Sequence, residues 1–284
     1  MFLNNPNPGR LSHGAEKFLA QLAHQPAVLV RVASTQGSVP RETGAWMAVF
    51  ASAVVGTIGG GQLEHQAIVK ARAGLQASCD AGLSEGFHAL ERFALGPSLG
   101  QCCGGVMHLR FDAVSASDAS ALASSLRRAL APVALFGAGH VGHALVRVLA
   151  PLPFQITWID SRADLLFETG PAGVACEHSD PPQAAVAALA PQSRVLIMSF
   201  SHAEDFDVVA ACLRRLREQA DLPFIGLIGS STKWATFHRR LLVRGFTFEE
   251  LAQVICPIGV LGIAGKEPEV IAVAVAAQLL QTLS

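Results

Sequence analysis

Cys102 and Cys103 stand side by side and are followed at once by Gly104 and Gly105. Two glycines after a thiol pair leave the sulfurs on a sterically open backbone, as a reactive or metal-facing thiolate needs. Adjacent cysteines seldom close a disulfide, because the peptide between them strains the geometry. One soft thiolate is too few to hold zinc but enough to touch a metal that something else already chelates. A buried structural pair is the competing reading.

A second stretch carries a different chemistry. The apolar run Val133 to Phe136 meets Gly137-Ala138-Gly139-His140-Val141-Gly142, and a helical pattern continues through Leu149. A further strand-like run, Gln155 to Ile159, ends in Asp160, 21 residues past Gly139. Strand, Gly-x-Gly-x-x-Gly, helix, strand, acid is the order of a dinucleotide-binding unit. Gly137 allows the tight turn, Gly139 lets a phosphate approach the backbone, and Gly142 lets the helix sit close on the strand. Free N–H groups and the positive helix end around His140 would hold the anion, and Asp160 would take a ribose hydroxyl pair. A Rossmann scaffold whose site has been emptied or reassigned would carry the same residues.

Other constellations are less specific. Gly59-Gly60-Gly61 lies between a strand and a helix, with Glu64 just inside that helix. Three consecutive glycines cost backbone entropy, so something must need the backbone nearby or a positive φ. That is either an anion cradle or a tight turn with Glu64 favoured by the helix dipole. Gly37-Ser38-Val39-Pro40-Arg41 is a rigid loop ending in a guanidinium, suited to phosphate or carboxylate, or simply a surface arginine on a hairpin. Ser199-Phe200-Ser201-His202 falls where a strand gives way to a helix, so His202 either lines a cleft or caps that helix. Cys256 to Lys266 forms a late glycine-rich loop capable of folding over the cleft.

The elements that must position these residues follow from periodicity. A chain of 284 residues suggests two domains. In the first, Leu11 to Ala23 has helical spacing. Strand patterns cover Ala27–Ala33, Ala45–Phe50, Ala53–Ile58, His88–Phe93 and Val106–Phe111, and a helix covers Leu63–Ala73. Residues 115–131, rich in Ala and Ser, read as linker or helix and mark the boundary between a domain at 1–114 and another at 132–284. Beyond it, strands and helices alternate to a closing Ala-rich helix at Glu269–Leu280. The fold class is therefore α/β: a small N-terminal α/β domain followed by a Rossmann-type doubly wound parallel sheet.

A formal charge of −1 gives no electrostatic reason to expect nucleic acid or an anionic membrane as partner. No apolar run is long enough to span a bilayer. The first residues, MFLNNPNPGR, lack the basic flank and apolar core of a signal peptide, so a cytoplasmic location is expected. The six cysteines show neither zinc spacing nor a disulfide framework, and all but the reactive candidate read as small core residues. The apolar closing helix suggests a homo-oligomer, most simply a homodimer.

In combination, several blocks resemble the xanthine dehydrogenase accessory protein family (XdhC/CoxI). They are GSVPRETGAWM at 37–47, GTIGGGQLEHQAI at 56–68, GQCCGG at 100–105, FGAGHVG at 136–142, GLIGSSTKWATFHRRL at 226–241, and CPIG…GIAGKEPEVIAVAVAAQLL at 256–280. The resemblance implies an accessory protein rather than an enzyme. Such proteins bind molybdenum cofactor, support its sulfuration with a cysteine desulfurase, and insert it into apo-xanthine dehydrogenase. By position, the resemblance makes Cys103 and Cys102, Gly59 to Gly61, Glu64 and Arg41 the cofactor-handling residues, with Cys103 as the molybdenum contact. Gly137, Gly139, His140, Gly142 and Asp160 are candidates in the Rossmann cleft for the same ligand or for NAD(P). The family commonly has Met-Thr-His-Ser-His where this chain has Met198-Ser199-Phe200-Ser201-His202, so Phe200 removes an imidazole. The reading from a different class is an NAD(P)-dependent oxidoreductase acting through Gly137 to Asp160; a third is a scaffold bridging desulfurase and dehydrogenase.

Overall fold

A computed structural model describes residues 9–80, 87–96, 104–162 and 173–283. The chain divides into two compact units that meet in sequence between Arg128 and Ala129.

The first unit is built on a five-stranded antiparallel sheet, ordered β3-β2-β1-β5-β4. Its strands are β1 (Ala27–Gln36), β2 (Trp46–Val49), β3 (Val54–Gly56), β4 (His88–Ala94) and β5 (Val106–Val114). The central pair joins distant parts of the sequence, β1 to β5, from Ala27 opposite Val114 to Gln36 opposite Val106. The register shifts between Val32 and Ser34. Helix α2 (Gly61–Asp80) presents Leu63, Ala67, Ala71 and Leu75, spaced at i, i+4, to one sheet face, where they bury against Val30, Met47, Leu109 and Phe111. The other face is covered in part by α1 (His13–Leu22), through Phe18 and Leu22.

The Ala/Ser-rich stretch that reads as linker or helix folds here as helix. Ser115 and Asp118 form a capping box, and α3 (Ala119–Leu126) follows it, with Leu122 buried beside Phe18 and Leu22. Ala and Ser in a helix disguise its face, because a single leucine carries most of the burial. The unit closes on a bridge from Arg10 to Arg128.

The second unit is a six-stranded parallel sheet, ordered β8-β7-β6-β9-β10-β11. The strands are β6 (Ala131–Phe136), β7 (Phe154–Asp160), β8 (Ala175–His178), β9 (Arg194–Ile197), β10 (Phe224–Leu227) and β11 (Val254–Ile255). Strand order reverses between β6 and β9, which is the switch point where open α/β sheets take ligands. Helices α4 (His140–Leu149) and α8 (Pro268–Gln281) share one face, where Leu145, Leu149, Val275 and Leu279 pack with Trp158. On the other face lie α5 (His202–Gln219), α6 (Ser231–Val243) and α7 (Phe248–Leu251). Ser201 and Ser230 start α5 and α6 by accepting the N–H of Glu204 and of Lys233, each at 3.2 Å. The two-residue β11 is too short to leave a periodic signal, and periodicity missed it. Among the described residues no helix is long and apolar enough to cross a membrane.

Candidate functional site

In the second unit, the turn between β6 and α4 is fixed by three kinds of contact. Gly137 has φ +120°, and a Cβ there would lie 2.0 Å from the Met198 carbonyl oxygen. A Cβ on Gly142 would lie 2.2 Å from the carbonyl oxygen of Gly137, which also accepts the Trp158 indole N–H at 3.0 Å. These two glycines are therefore required by the protein's own backbone. Gly139 is not: no atom lies within 4 Å of where its Cβ would be, and its φ of −83° suits any residue. The space belongs to a cleft of about 650 Å³, lined by Gly139, His140, His143, Arg147, Arg162 and Glu269 among others. The first N–H groups of α4 have no intrahelical acceptors, so this opening faces ready donors.

His143 lines the cleft with its ring edge-on to Trp158, at 4.8 Å between centroids. Burial, then Arg147 and His140, hold its pKa below the ordinary imidazole value. With Arg162 paired to Asp160, the Arg147 guanidinium and two imidazoles against the Glu269 carboxylate make the lining suited to an anion.

Asp160 stands at the end of β7 and is buried. Its Oδ2 accepts the Ala138 N–H at 2.6 Å and Arg162 Nη2 at 2.9 Å. Its Oδ1 accepts both the N–H and the Nε–H of Arg162, each at 2.9 Å. Burial would raise its pKa, but the bonds from Arg162 and Ala138 outweigh that and hold it below the usual carboxylate range. Arg162 in turn stacks on Phe200, 4.7 Å from the ring centroid. The residue that removes an imidazole from the family pattern thus carries a guanidinium here.

Beyond the switch point the crevice holds a second buried acid. Asp205 accepts the N–H and Oγ–H of Ser199 at 2.8 and 2.7 Å, and Lys233 Nζ at 2.6 Å. Lys233 also donates to the Ile228 carbonyl at 2.8 Å. The Cα of Ser199 would lie 3.0 Å from a Cβ on Gly137, so this network backs directly onto the glycine turn before α4. His202 does not cap α5, since Ser201 does; its ring packs edge-on to Phe237, 6.5 Å between centroids. Sequence reasoning missed Arg162 and Lys233. A DxR pattern closing a strand was a usable signal for the first, and nothing local marked the second.

In the first unit, three motifs distant in sequence come together. A Cβ on Gly105 would meet the Ser38 carbonyl oxygen at 2.3 Å, and one on Gly59 would meet Pro40 at 2.7 Å. The loop at 37–41 is therefore sandwiched between Gly105 and the glycine triplet, and Arg41 lies beside Gly59, with its Cγ 3.5 Å from where a Cβ on that glycine would sit. Its guanidinium donates to Glu42 at 3.4 Å. Cys102 and Cys103 lie outside the described residues.

Gly59, Gly60 and Gly61 all have positive φ. The turn they make is filled from within: Glu64 Oε2 accepts Thr57 Oγ1 at 2.5 Å, the Ile58 N–H at 3.0 Å and the Gly60 N–H at 3.1 Å. Burial raises the Glu64 pKa, and these bonds more than reverse it, leaving the group ionised below the usual range. Two of the amides an external anion would need are thus engaged by the chain's own carboxylate. Of the other cysteines, Cys212 is fully buried, and burial pushes its thiol up to about 12, as a core residue requires. Cys176 and Cys256 are half-buried free thiols. Among the described residues no three His, Cys, Asp or Glu side chains gather as a metal site.

Comparison with known proteins draws on both units. A family model described as the XdhC Rossmann domain matches residues 133–279, and one described as the XdhC and CoxI family matches residues 20–83. The uncharacterized protein YqeB of Escherichia coli K12 is 29% identical over 259 residues, covering 90% of this chain and 43% of its own length. The chain thus spans less than half of that curated relative. The crystal structure of a xanthine dehydrogenase from Bacillus halodurans is similar in fold, with a TM-score of 0.75 at 20% identity over 95% of each chain.

Proposed function

The chain belongs to the XdhC and CoxI family, and from that premise we propose that it is an accessory protein of xanthine dehydrogenase maturation. In this reading it binds molybdenum cofactor, supports its sulfuration by a cysteine desulfurase, and inserts it into the apo-dehydrogenase. It is a carrier, with no reaction of its own. The observation that carries the reading is the pair of family matches, one on each compact unit. The cofactor is a pterin with a phosphate and a dithiolene-bound metal; when bound, it supplies the molybdenum chemistry of the client enzyme.

The residues present fit the phosphate end of such a ligand. Gly139 leaves the space, the α4 amides supply donors, and His140 and Arg147 line the same cleft. In the first unit, Gly105 and Gly59 bracket the loop that bears Arg41. The soft thiolate assigned to molybdenum is Cys103, with Cys102 as helper, on the strength of the family motif. Gly60, Gly61 and Glu64 then act by shaping that bracket. The protein is proposed to be cytoplasmic and homodimeric. Helix α8 buries Ala272, Val275 and Leu279 toward α4 and keeps Val273 and Leu280 exposed.

The deciding experiment is mass spectrometry of ligands released from protein produced with and without molybdate. Oxidised pterin that copurifies and rises with molybdate supply is the expected result. Pterin-free protein that still binds both desulfurase and dehydrogenase would replace the carrier by a scaffold. In the same preparation Cys103→Ala should lose pterin while its stability falls by no more than about 1–2 kcal/mol.

A further inference from the structure

Asp160 occupies the position from which an acid reads the ribose diol of a dinucleotide. A carboxylate has about four lone-pair sites for hydrogen bonds. In this chain four donors already fill them: the N–H of Ala138, the N–H of Arg162, and Nε and Nη2 of the Arg162 guanidinium. Three of the four come from one residue, two places along the chain. The fork is planar and bidentate, the strongest geometry available to this pair, and the acid beneath it is buried. The guanidinium also lies over the Phe200 ring, with Arg162 Cζ 4.7 Å from its centroid. A diol reaching Asp160 would have to break this clamp and would leave a guanidinium displaced from its ring.

From this we infer that Arg162 is the specificity-determining residue of the Rossmann cleft. It closes the cleft to adenine dinucleotides with an unsubstituted ribose diol and leaves it to phosphorylated ligands that lack a diol at the end of β7. Phe200 is a positioning residue that acts through Arg162. The inference rests on the reading of the Gly139 turn as a phosphate seat, and it accounts for a complete dinucleotide fingerprint in a chain that need not bind a dinucleotide.

The test uses the full-length protein and two probes, NADH and inorganic pyrophosphate, titrated by calorimetry into wild type, Arg162→Ala and Phe200→Ala. Pyrophosphate should bind all three. NADH should bind Arg162→Ala about 10- to 100-fold more tightly than wild type, the yield of one or two charge-assisted hydrogen bonds to a released Asp160. Adding Asp160→Asn to Arg162→Ala should erase that gain, which a general loosening of the cleft would not. Phe200→Ala should gain a few-fold, and it carries the test alone if Arg162→Ala does not fold. Equal NADH affinity in wild type and in the folded variants overturns the inference, whether that affinity is high or undetectable. If pyrophosphate binds none of the proteins, the phosphate seat itself falls and the exclusion with it.

Discussion

The two glycine-rich turns at the starts of α2 and α4 are written in similar residues and finished differently. In the first, Glu64 lies within the helix that the turn opens, and it draws the Ile58 and Gly60 amides onto its own oxygen. In the second, the acid comes from the neighbouring strand, claims one amide of the turn, that of Ala138, and is itself neutralised by Arg162. Asp205, behind the same turn, is neutralised by Lys233 in the same way. A carboxylate satisfied by backbone amides closes a turn. Carboxylates satisfied by cationic side chains leave the amides ahead of them available and add no bare negative charge beside an incoming phosphate. Glycine content therefore says that backbone is needed close by, and the source of the nearest acid decides whether the need is internal or external.

The comparison can be broken from several sides. The largest effect should come from Lys233→Met, which strands the buried Asp205 charge; the expected loss is about 3–5 kcal/mol by chemical denaturation. Double substitution with Asp205→Asn should restore part of it. Next is Gly137→Ala. A methyl aimed at the Met198 carbonyl from a positive-φ residue should cost about 3 kcal/mol or more. A melting temperature within a few degrees of wild type would mean that the turn is not held as described.

Glu64→Gln should cost less, about 1–2 kcal/mol, because the amide oxygen still accepts one bond. Its signature is in pH. The folded pKa of Glu64 is depressed, so its contribution is present above the ordinary value of 4.5 and is lost as pH falls through the folded value. Wild-type stability should therefore drop on acidification in that window, and the drop should shrink in Glu64→Gln. Gly139→Ala should be smallest in stability, within about 0.5 kcal/mol, since nothing meets the new methyl. Phosphate affinity should nonetheless fall, and Gly139→Val should remove it. Unchanged pyrophosphate binding in both would make the second turn as closed as the first.

Much of the second unit was legible because its signals are local. Strand, glycine turn, helix and acid fall within one continuous stretch, and each residue type has one dominant reason to be there. The clamp on Asp160 left only one local mark, an arginine two places past the acid, because the sequence shows the acid and not the competition for its lone pairs. Lys233 and Asp205 meet only through the packing of α6 on α5, and no pattern links positions 28 apart. In the first unit, glycine spacing announced that backbones approach closely. It could not announce that Gly105 faces Ser38, or that Gly59 faces Pro40, because those pairs are made by strands meeting across the sheet. Composition left α3 open between linker and helix, and length hid β11.

The indole of Trp158 gives the cleft an optical readout. It is almost wholly buried, donates its N–H to the Gly137 carbonyl, and has the His143 ring edge-on beside it. A protonated imidazole in that position quenches indole emission, whereas the neutral ring does so only weakly. With Trp46 and Trp234 replaced by phenylalanine, the remaining fluorescence should dim as the solution is acidified through a midpoint below the usual histidine range, in line with the lowered pKa of His143. Burial does most to lower the His143 pKa and Arg147 and His140 add to it, so an anion seated near those two offsets their share and filling the cleft should move the dimming to higher pH. Occupancy of the turn then becomes visible as a colourless titration, without any labelled ligand.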